Sequence, residues 1–194
     1  CEKLMPLIHL PVQSGSNKIL QEMNRKHTIE EYLTIIAKVK KVKQNVQFSS
    51  DFIIGYPGET HDDFKKTIEL LNSVKFINSY SFIYSARPGT PAFNLTNINH
   101  DDAKKRLMDF QQTAEKIKTT YRNNLINKIS KVLFENKTKN KKKYFGRDEY
   151  FNSVIVKSEN NLIGKIENIK ILEINQNTLF GKVISNFDQK NHAA

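Results

Sequence analysis

Three short clusters of small, polar and charged residues carry most of the chemistry available to this chain. Gln13-Ser14-Gly15-Ser16 offers an amide and hydroxyls directly after the apolar run Leu7–Val12. Gly55-Tyr56-Pro57-Gly58-Glu59 closes the run Val46–Ile54 and puts a carboxylate just before Thr60. Ser85-Ala86-Arg87-Pro88-Gly89-Thr90-Pro91 follows Tyr80–Tyr84 and sets Arg87 between small residues and prolines. Helical periodicity follows each cluster, and backbone N–H groups at a helix start point outward towards a ligand. In parallel α/β architectures ligands sit on such loops, at the carboxyl ends of the strands. Gln13, Ser14, Asp51, Glu59 and Arg87 therefore predict a cofactor- or nucleotide-like pocket. Asp51 and Glu59 could serve as acid and base, or Asp51 could bind a ribose.

The sequence excludes several other chemistries. It shows no Ser-His-Asp order, and its five histidines have no metal-ligand spacing. His9 sits in an apolar run and is expected as a core or layer histidine rather than a catalytic base, His27 and His61 near helix starts, His100 and His192 near exposed ends. Gly55–Gly58 is not a phosphate loop of the Walker type, because no Lys-Ser/Thr follows. Cys1 is the single cysteine, so neither a disulfide framework nor a self-contained iron–sulfur site can be built. The catalytic residue stays unknown, and no metal ligand is assigned.

Charge points to a different partner. Lys plus Arg number 31 against 20 acidic residues, a net charge of +11. The segment 101–150 alone holds 14 basic and 7 acidic side chains. Within it, Lys137-Thr138-Lys139-Asn140-Lys141-Lys142-Lys143 runs into Tyr144-Phe145-Gly146-Arg147. Lysines beside aromatics suit phosphate neutralisation and base stacking. Lys139, Lys141, Lys142, Lys143, Tyr144, Phe145 and Arg147 are thus the expected RNA contacts; a merely solvated lysine loop is the plainer alternative. No apolar run could span a bilayer, and no membrane partner is expected.

The elements that must position these groups change character along the chain. Up to Pro91, apolar run, turn cluster and helix alternate, which reads as consecutive βα units on a parallel sheet. Thr28-Ile29-Glu30-Glu31 is a capping box, and Thr60 with Asp63 starts another helix. From Asn99, Ala103, Leu107, Phe110, Ala114, Ile117, Tyr121 and Leu125 form one apolar stripe of a long helix. After it the period becomes two, and about five short strands suggest a small OB-like β-barrel. The expected domains are 1–127, 128–186 and a frayed tail at 187–194. Three βα units leave a parallel sheet short of neighbours, so the missing strands are expected before Cys1.

Taken together, His9-Leu10-Pro11-Val12-Gln13-Ser14-Gly15-Ser16-Asn17, Met23-Asn24-Arg25, Asp51-Phe52-Ile53-Ile54-Gly55-Tyr56-Pro57-Gly58-Glu59-Thr60 and Tyr80 to Pro91 resemble the radical-SAM methylthiotransferases over essentially the whole chain. The resemblance implies an α/β fold: the second half of an open, TIM-like radical-SAM barrel, followed by a TRAM-type RNA-binding barrel. It implies a cytoplasmic enzyme that adds a methylthio group to isopentenyl-modified adenosine next to the tRNA anticodon. S-adenosylmethionine and two [4Fe-4S] clusters are the implied cofactors, with cluster ligands outside this chain, and tRNA is the implied partner. It further implies that Gln13 and Ser14 contact the cofactor's ribose region, that Asp51 to Gly58, including Ile53 and Gly55, form a motif facing its adenine, and that Arg87 opens onto cofactor or substrate. The family's cluster cysteines have no counterpart here. A C-terminal fragment is therefore expected, inactive alone, with a separately encoded N-terminal half as one possible partner. The alternatives are a non-catalytic tRNA-binding remnant, or a sibling enzyme acting on threonylcarbamoyl-adenosine or a ribosomal protein.

Overall fold

The computed structural model describes residues 4–139 and 142–184; Cys1, Lys141 and the expected tail at 187–194 lie outside the described residues. The chain divides into two compact units, Ile8–Lys118 and one formed by the residues before Ile8 together with those from Thr119 onward.

In the first unit β1 (Leu7–His9), β2 (Gln47–Ile54) and β3 (Asn78–Ile83) form a sheet of order β1-β2-β3. β2 and β3 are parallel, with Asp51 opposite Tyr80 and Ile53 opposite Phe82. Between the strands run α1 (Asn17–Glu22), α2 (Ile29–Val42) and α3 (His61–Val74), and α4 (His100–Asn123) follows. The sequence signals for these helices are physical caps. Thr28 and Glu31 close a reciprocal capping box on α2, and Thr60 and Asp63 do the same on α3. Each box satisfies two N–H groups that a helix start otherwise leaves without partners.

Alternation along β2 decides which face is buried. Phe48, Ser50, Phe52 and Ile54 are buried at 2% exposure or less, whereas on the other face Gln47, Asp51 and Ile53 are only half-buried and Ser49, which bonds His9, is buried. Phe52 anchors the core, its ring 4.7 Å from Phe110 of α4 and 5.5 Å from Phe76. Burying one such ring contributes about 1.5–3 kcal/mol. Ser50 bonds the Val12 N–H and the Leu10 carbonyl, and the Tyr32 hydroxyl donates to that same carbonyl. The polar backbone following β1 is thereby satisfied inside an apolar layer.

The second unit contains a closed barrel of order β4-β5-β6-β8-β7. Its strands are β4 (Ile129–Lys137), β5 (Lys143–Asp148), β6 (Ser153–Lys157), β7 (Ile166–Ile174) and β8 (Thr178–Val183). All pairs are antiparallel except β6 with β8. Val132, Phe134, Tyr144, Val154, Val156, Ile169, Ile171 and Leu179 fill the interior. Asp148, itself buried, accepts from the N–H groups of Tyr150 and Asn152 and so ties the β5–β6 turn. The expected five-stranded OB-like module is present, and α/β and all-β parts are segregated along the chain as their periodicities indicate.

Candidate functional site

The first unit exposes a sheet face whose side chains are polar and aromatic. His9 Nδ1 lies 2.9 Å from Ser49 Oγ, and His9 Nε2 lies 3.4 Å from Asp51 Oδ1. The His9 ring meets Tyr80 edge-on at 6.1 Å. Tyr80 is 53% exposed and Phe82 60% exposed, and both share register with Asp51 and Ile53 on β2. One face thus gathers an imidazole, a carboxylate, two aromatic rings and an aliphatic side chain. His9 is a correction: it is not a core residue but an exposed member of this face. Its apolar neighbours in sequence point to the other side of the strand, because side chains alternate.

The loops that carry most of the predicted residues are knit into the scaffold. Gln13 is buried in a left-handed conformation, and its backbone N–H and carbonyl bond Asp51 and Ile53 of β2. The Ser14 hydroxyl is buried, 3.4 Å from Thr67 Oγ1, and accepts from the Ser16 N–H. Gly15 packs against the backbone of α3: a Cβ there would come within 2.5 Å of the Lys66 carbonyl oxygen and Thr67 Cα, so only glycine permits this approach. The Ser16 hydroxyl donates to Asp63 at 2.6 Å. Burial alone would raise the Asp63 pKa, yet the bonds from Ser16 and Thr60 outweigh it and, with Lys18 nearby, hold the carboxyl at about 2.

Glu59 is likewise turned inward. Arg106 Nη1 donates to its carboxylate at 2.6 Å and to its carbonyl at 3.0 Å, and the Gly55 N–H donates to the other carboxylate oxygen. Burial pushes the Glu59 carboxyl upward while Arg106 opposes that shift. Gly55 adopts φ +75, which a residue with a side chain resists. Ser14 and Glu59 therefore position loops, rather than presenting polar groups to a ligand. Arg87 is exposed, and its carbonyl accepts from the N–H and hydroxyl of Thr90, which closes the turn that carries it.

Of the predicted set, the sheet face holds Asp51 and Ile53. Sequence reasoning missed His9, Tyr80 and Phe82; the period-two pattern Tyr80-x-Phe82, in register with Asp51-x-Ile53, is the signal that could have found them. Exposed rings beside a carboxylate suit an aromatic heterocycle joined to a hydroxyl-bearing sugar, so the donor set fits an adenosyl cofactor. Among the described residues no group of three His, Cys, Asp or Glu side chains could hold a metal, so no cluster ligand set is found there.

On the barrel, Lys143 and Arg147 are exposed and Phe145 is half-buried on the outer face of β5. The Arg147 guanidinium lies over the Phe145 ring at 5.8 Å and reaches Glu135 at 3.9 Å. Lys142 pairs with Glu159 at 3.1 Å, and Lys139 is exposed. Lys141 lies outside the described residues. Tyr144 is a second correction: it is 2% exposed within the barrel core, with Lys137 over its ring, and cannot stack on a base. Among the described residues, no helix is long and apolar enough to cross a membrane.

Two protein-family models match the chain, the Radical SAM superfamily over residues 2–71 and the TRAM domain over residues 125–184. The tRNA-2-methylthio-N(6)-dimethylallyladenosine synthase of Pelagibacter ubique (strain HTCC1062) is 54% identical over 188 residues, which cover 97% of this chain and 42% of that protein. The synthase of the same name from Buchnera aphidicola subsp. Baizongia pistaciae (strain Bp) is 48% identical over 92% of this chain and 41% of its own length. That from Wolbachia pipientis wMel is 45% identical over 92% of this chain and 42% of its own length. The chain spans about two-fifths of the length of the curated relatives it matches.

Proposed function

We propose, for a chain that belongs to the Radical SAM superfamily and carries a TRAM domain, that it forms the cofactor- and tRNA-facing part of a cytoplasmic methylthiotransferase. The substrate is isopentenyl-modified adenosine beside the tRNA anticodon. One observation carries this reading: identity of 45–54% to synthases of that name extends over 92–97% of the chain. The exposed sheet face and the net charge of +11 support it.

When bound, S-adenosylmethionine would supply the methyl group and, with electrons from iron–sulfur clusters, the one-electron chemistry needed to replace an unactivated ring C–H by a methylthio group. Two [4Fe-4S] clusters belong to this reading, held by residues beyond this stretch of sequence, on the same polypeptide or on a separate N-terminal half. The residues of this chain do simpler work. Tyr80, Phe82 and Ile53 offer apolar and aromatic surface to the adenine, and Asp51 accepts hydrogen bonds from sugar hydroxyls. His9 orients Asp51 through its own bond to Ser49, and Arg87 reaches an anionic group of cofactor or substrate. Gln13 and Gly55 shape the two loops beside that face through their backbones. Ser14 and Glu59 hold the same loops from behind. Lys139, Lys141, Lys142, Lys143, Phe145 and Arg147 belong to the tRNA contact, and residues 1–127 and 128–186 are the two functional parts in this reading.

Mass spectrometry of tRNA nucleosides from cells whose gene carries Asp51→Asn tests this. The reading expects less 2-methylthio-N6-isopentenyladenosine and more of its isopentenyl precursor. An unchanged ratio, with the protein present at normal level, contradicts the role of this face.

A further inference from the structure

The outer surface of the barrel carries an order that no single segment of sequence displays. On β5, Lys143, Phe145 and Arg147 point outward, since Tyr144, Gly146 and Asp148 between them are buried. On β6 the outward residues are Ser153, Ile155 and Lys157, alternating with buried Val154 and Val156. On β8 they are Thr178, Phe180 and Lys182, around buried Leu179. Register lines these up. Phe145 is opposite Ile155, which is opposite Phe180. Lys143 is opposite Lys157, and Lys182 follows Gly181, the partner of Val156, so it stands in the same row. Lys170 of β7, opposite Lys182, extends that row. On the other flank Arg147 is opposite Ser153, and Ser153 opposite Thr178.

Three parallel rows result: lysines, then two aromatic rings around an isoleucine, then hydrogen-bonding side chains. Strand spacing places Phe145 and Phe180 about 10 Å apart, and each neighbouring row lies about 7 Å along the strands. Among the described residues, three acidic groups meet this surface: Glu173 opposite Phe180, Glu135 beside Arg147, and Glu159 paired with Lys142 next to the lysine row.

We infer that the β5–β6–β8 face is a binding platform for unpaired RNA, in which Phe145 and Phe180 each stack a nucleobase and Lys143, Lys157 and Lys182 take the backbone phosphates. The inference rests on the tRNA reading above and adds to it the class of RNA and the surface. Flat rings in the central row can cover only bases whose faces are free, and a duplex hides its base faces. The lysines run along one side, whereas Arg147 on the other is paired with Glu135, which gives the strand one path across the sheet. Ser153, Thr178 and Arg147 on the opposite side are placed to bond base edges. An amphipathic protein or an anionic membrane would meet the same charge, but neither needs two rings at two-strand spacing, one of them with a guanidinium over it as Arg147 lies over Phe145.

Fluorescence anisotropy of the 194-residue chain tests this with a labelled anticodon-type stem-loop and with the same sequence fully paired to its complement. Stacking of even one base predicts that the stem-loop binds about 5- to 150-fold more tightly than the duplex. Phe180→Leu and Phe145→Leu, which keep apolar bulk and remove the ring, should each erase about fivefold or more of that preference. Lys157→Ala should weaken both RNAs and lower the salt slope by about 0.7–0.9. A 2-aminopurine in the loop, read with the unaltered chain, should show a saturable stacking signal even if a variant fails to fold. Failure to bind any RNA would overturn the tRNA reading together with the platform. Equal binding of stem-loop and duplex, with no 2-aminopurine response, would overturn the platform alone and leave RNA binding standing. Association with anionic vesicles but not with RNA would overturn both.

Discussion

Arg106 of α4 holds the carboxylate of Glu59 at 2.6 Å inside the first unit, 47 residues away in sequence. Glu59 is almost wholly buried and Arg106 largely so. The pair closes the loop after β2 onto α4, on the strand that carries Asp51 and Ile53.

Removing one partner should leave an uncompensated buried charge. Arg106→Met is expected to cost about 3–5 kcal/mol in urea denaturation. The double change Arg106→Met with Glu59→Gln should recover much of that, since no charge then remains buried. A cost under about 1 kcal/mol for the single change, as for a surface pair, would show that this loop is held by something else.

Asp63 predicts an acid-dependent share of stability. Its carboxyl lies at about 2 when folded, against an ordinary aspartate value of 3.8. The depressed value means that the stabilisation is present above about pH 4 and is lost as pH falls through about 2. Asp63→Asn should therefore cost on the order of 2 kcal/mol near neutral pH, with the gap to the parent closing in acid. A gap that does not change between pH 5 and pH 2.5 would contradict the Ser16 and Thr60 bonds as its cause.

These loop bonds also show what sequence can and cannot reveal. The capping boxes at Thr28 and Thr60 are local, so they are legible from four residues each. The strands are legible from their period. Direction is not: Ser14 and Glu59 stand in polar loops after strands, as ligand-binding residues do, but face inward because Thr67 and Arg106, distant in sequence, approach them. Tyr144 illustrates the same limit in the barrel. Alternation shows that Tyr144 and Phe145 lie on opposite faces, but only closure of the barrel decides which face is core.

Tyr144 and Phe145 should accordingly separate stability from RNA binding. Tyr144→Ala is expected to destabilise the barrel by about 3 kcal/mol or more, by analogy with other buried rings. Tyr144→Phe should leave RNA affinity unchanged. Loss of RNA binding in a folded Tyr144→Phe protein would reinstate that ring as a contact.

Phe82 offers the converse separation on the sheet face. It is 60% exposed, so Phe82→Ala should shift stability by no more than about 0.5 kcal/mol. The proposed methylthiolation should nevertheless fall, read as the ratio of methylthiolated to precursor nucleoside in tRNA. An unaltered ratio would remove Phe82 from the cofactor face.

The proposed activity itself is tested most directly by nucleoside analysis of tRNA from the source organism with this gene deleted and then restored. The account predicts that 2-methylthio-N6-isopentenyladenosine disappears on deletion, that N6-isopentenyladenosine accumulates in its place, and that restoration reverses both. Persistence of the methylthio nucleoside at its original level in the deletion strain would contradict the account.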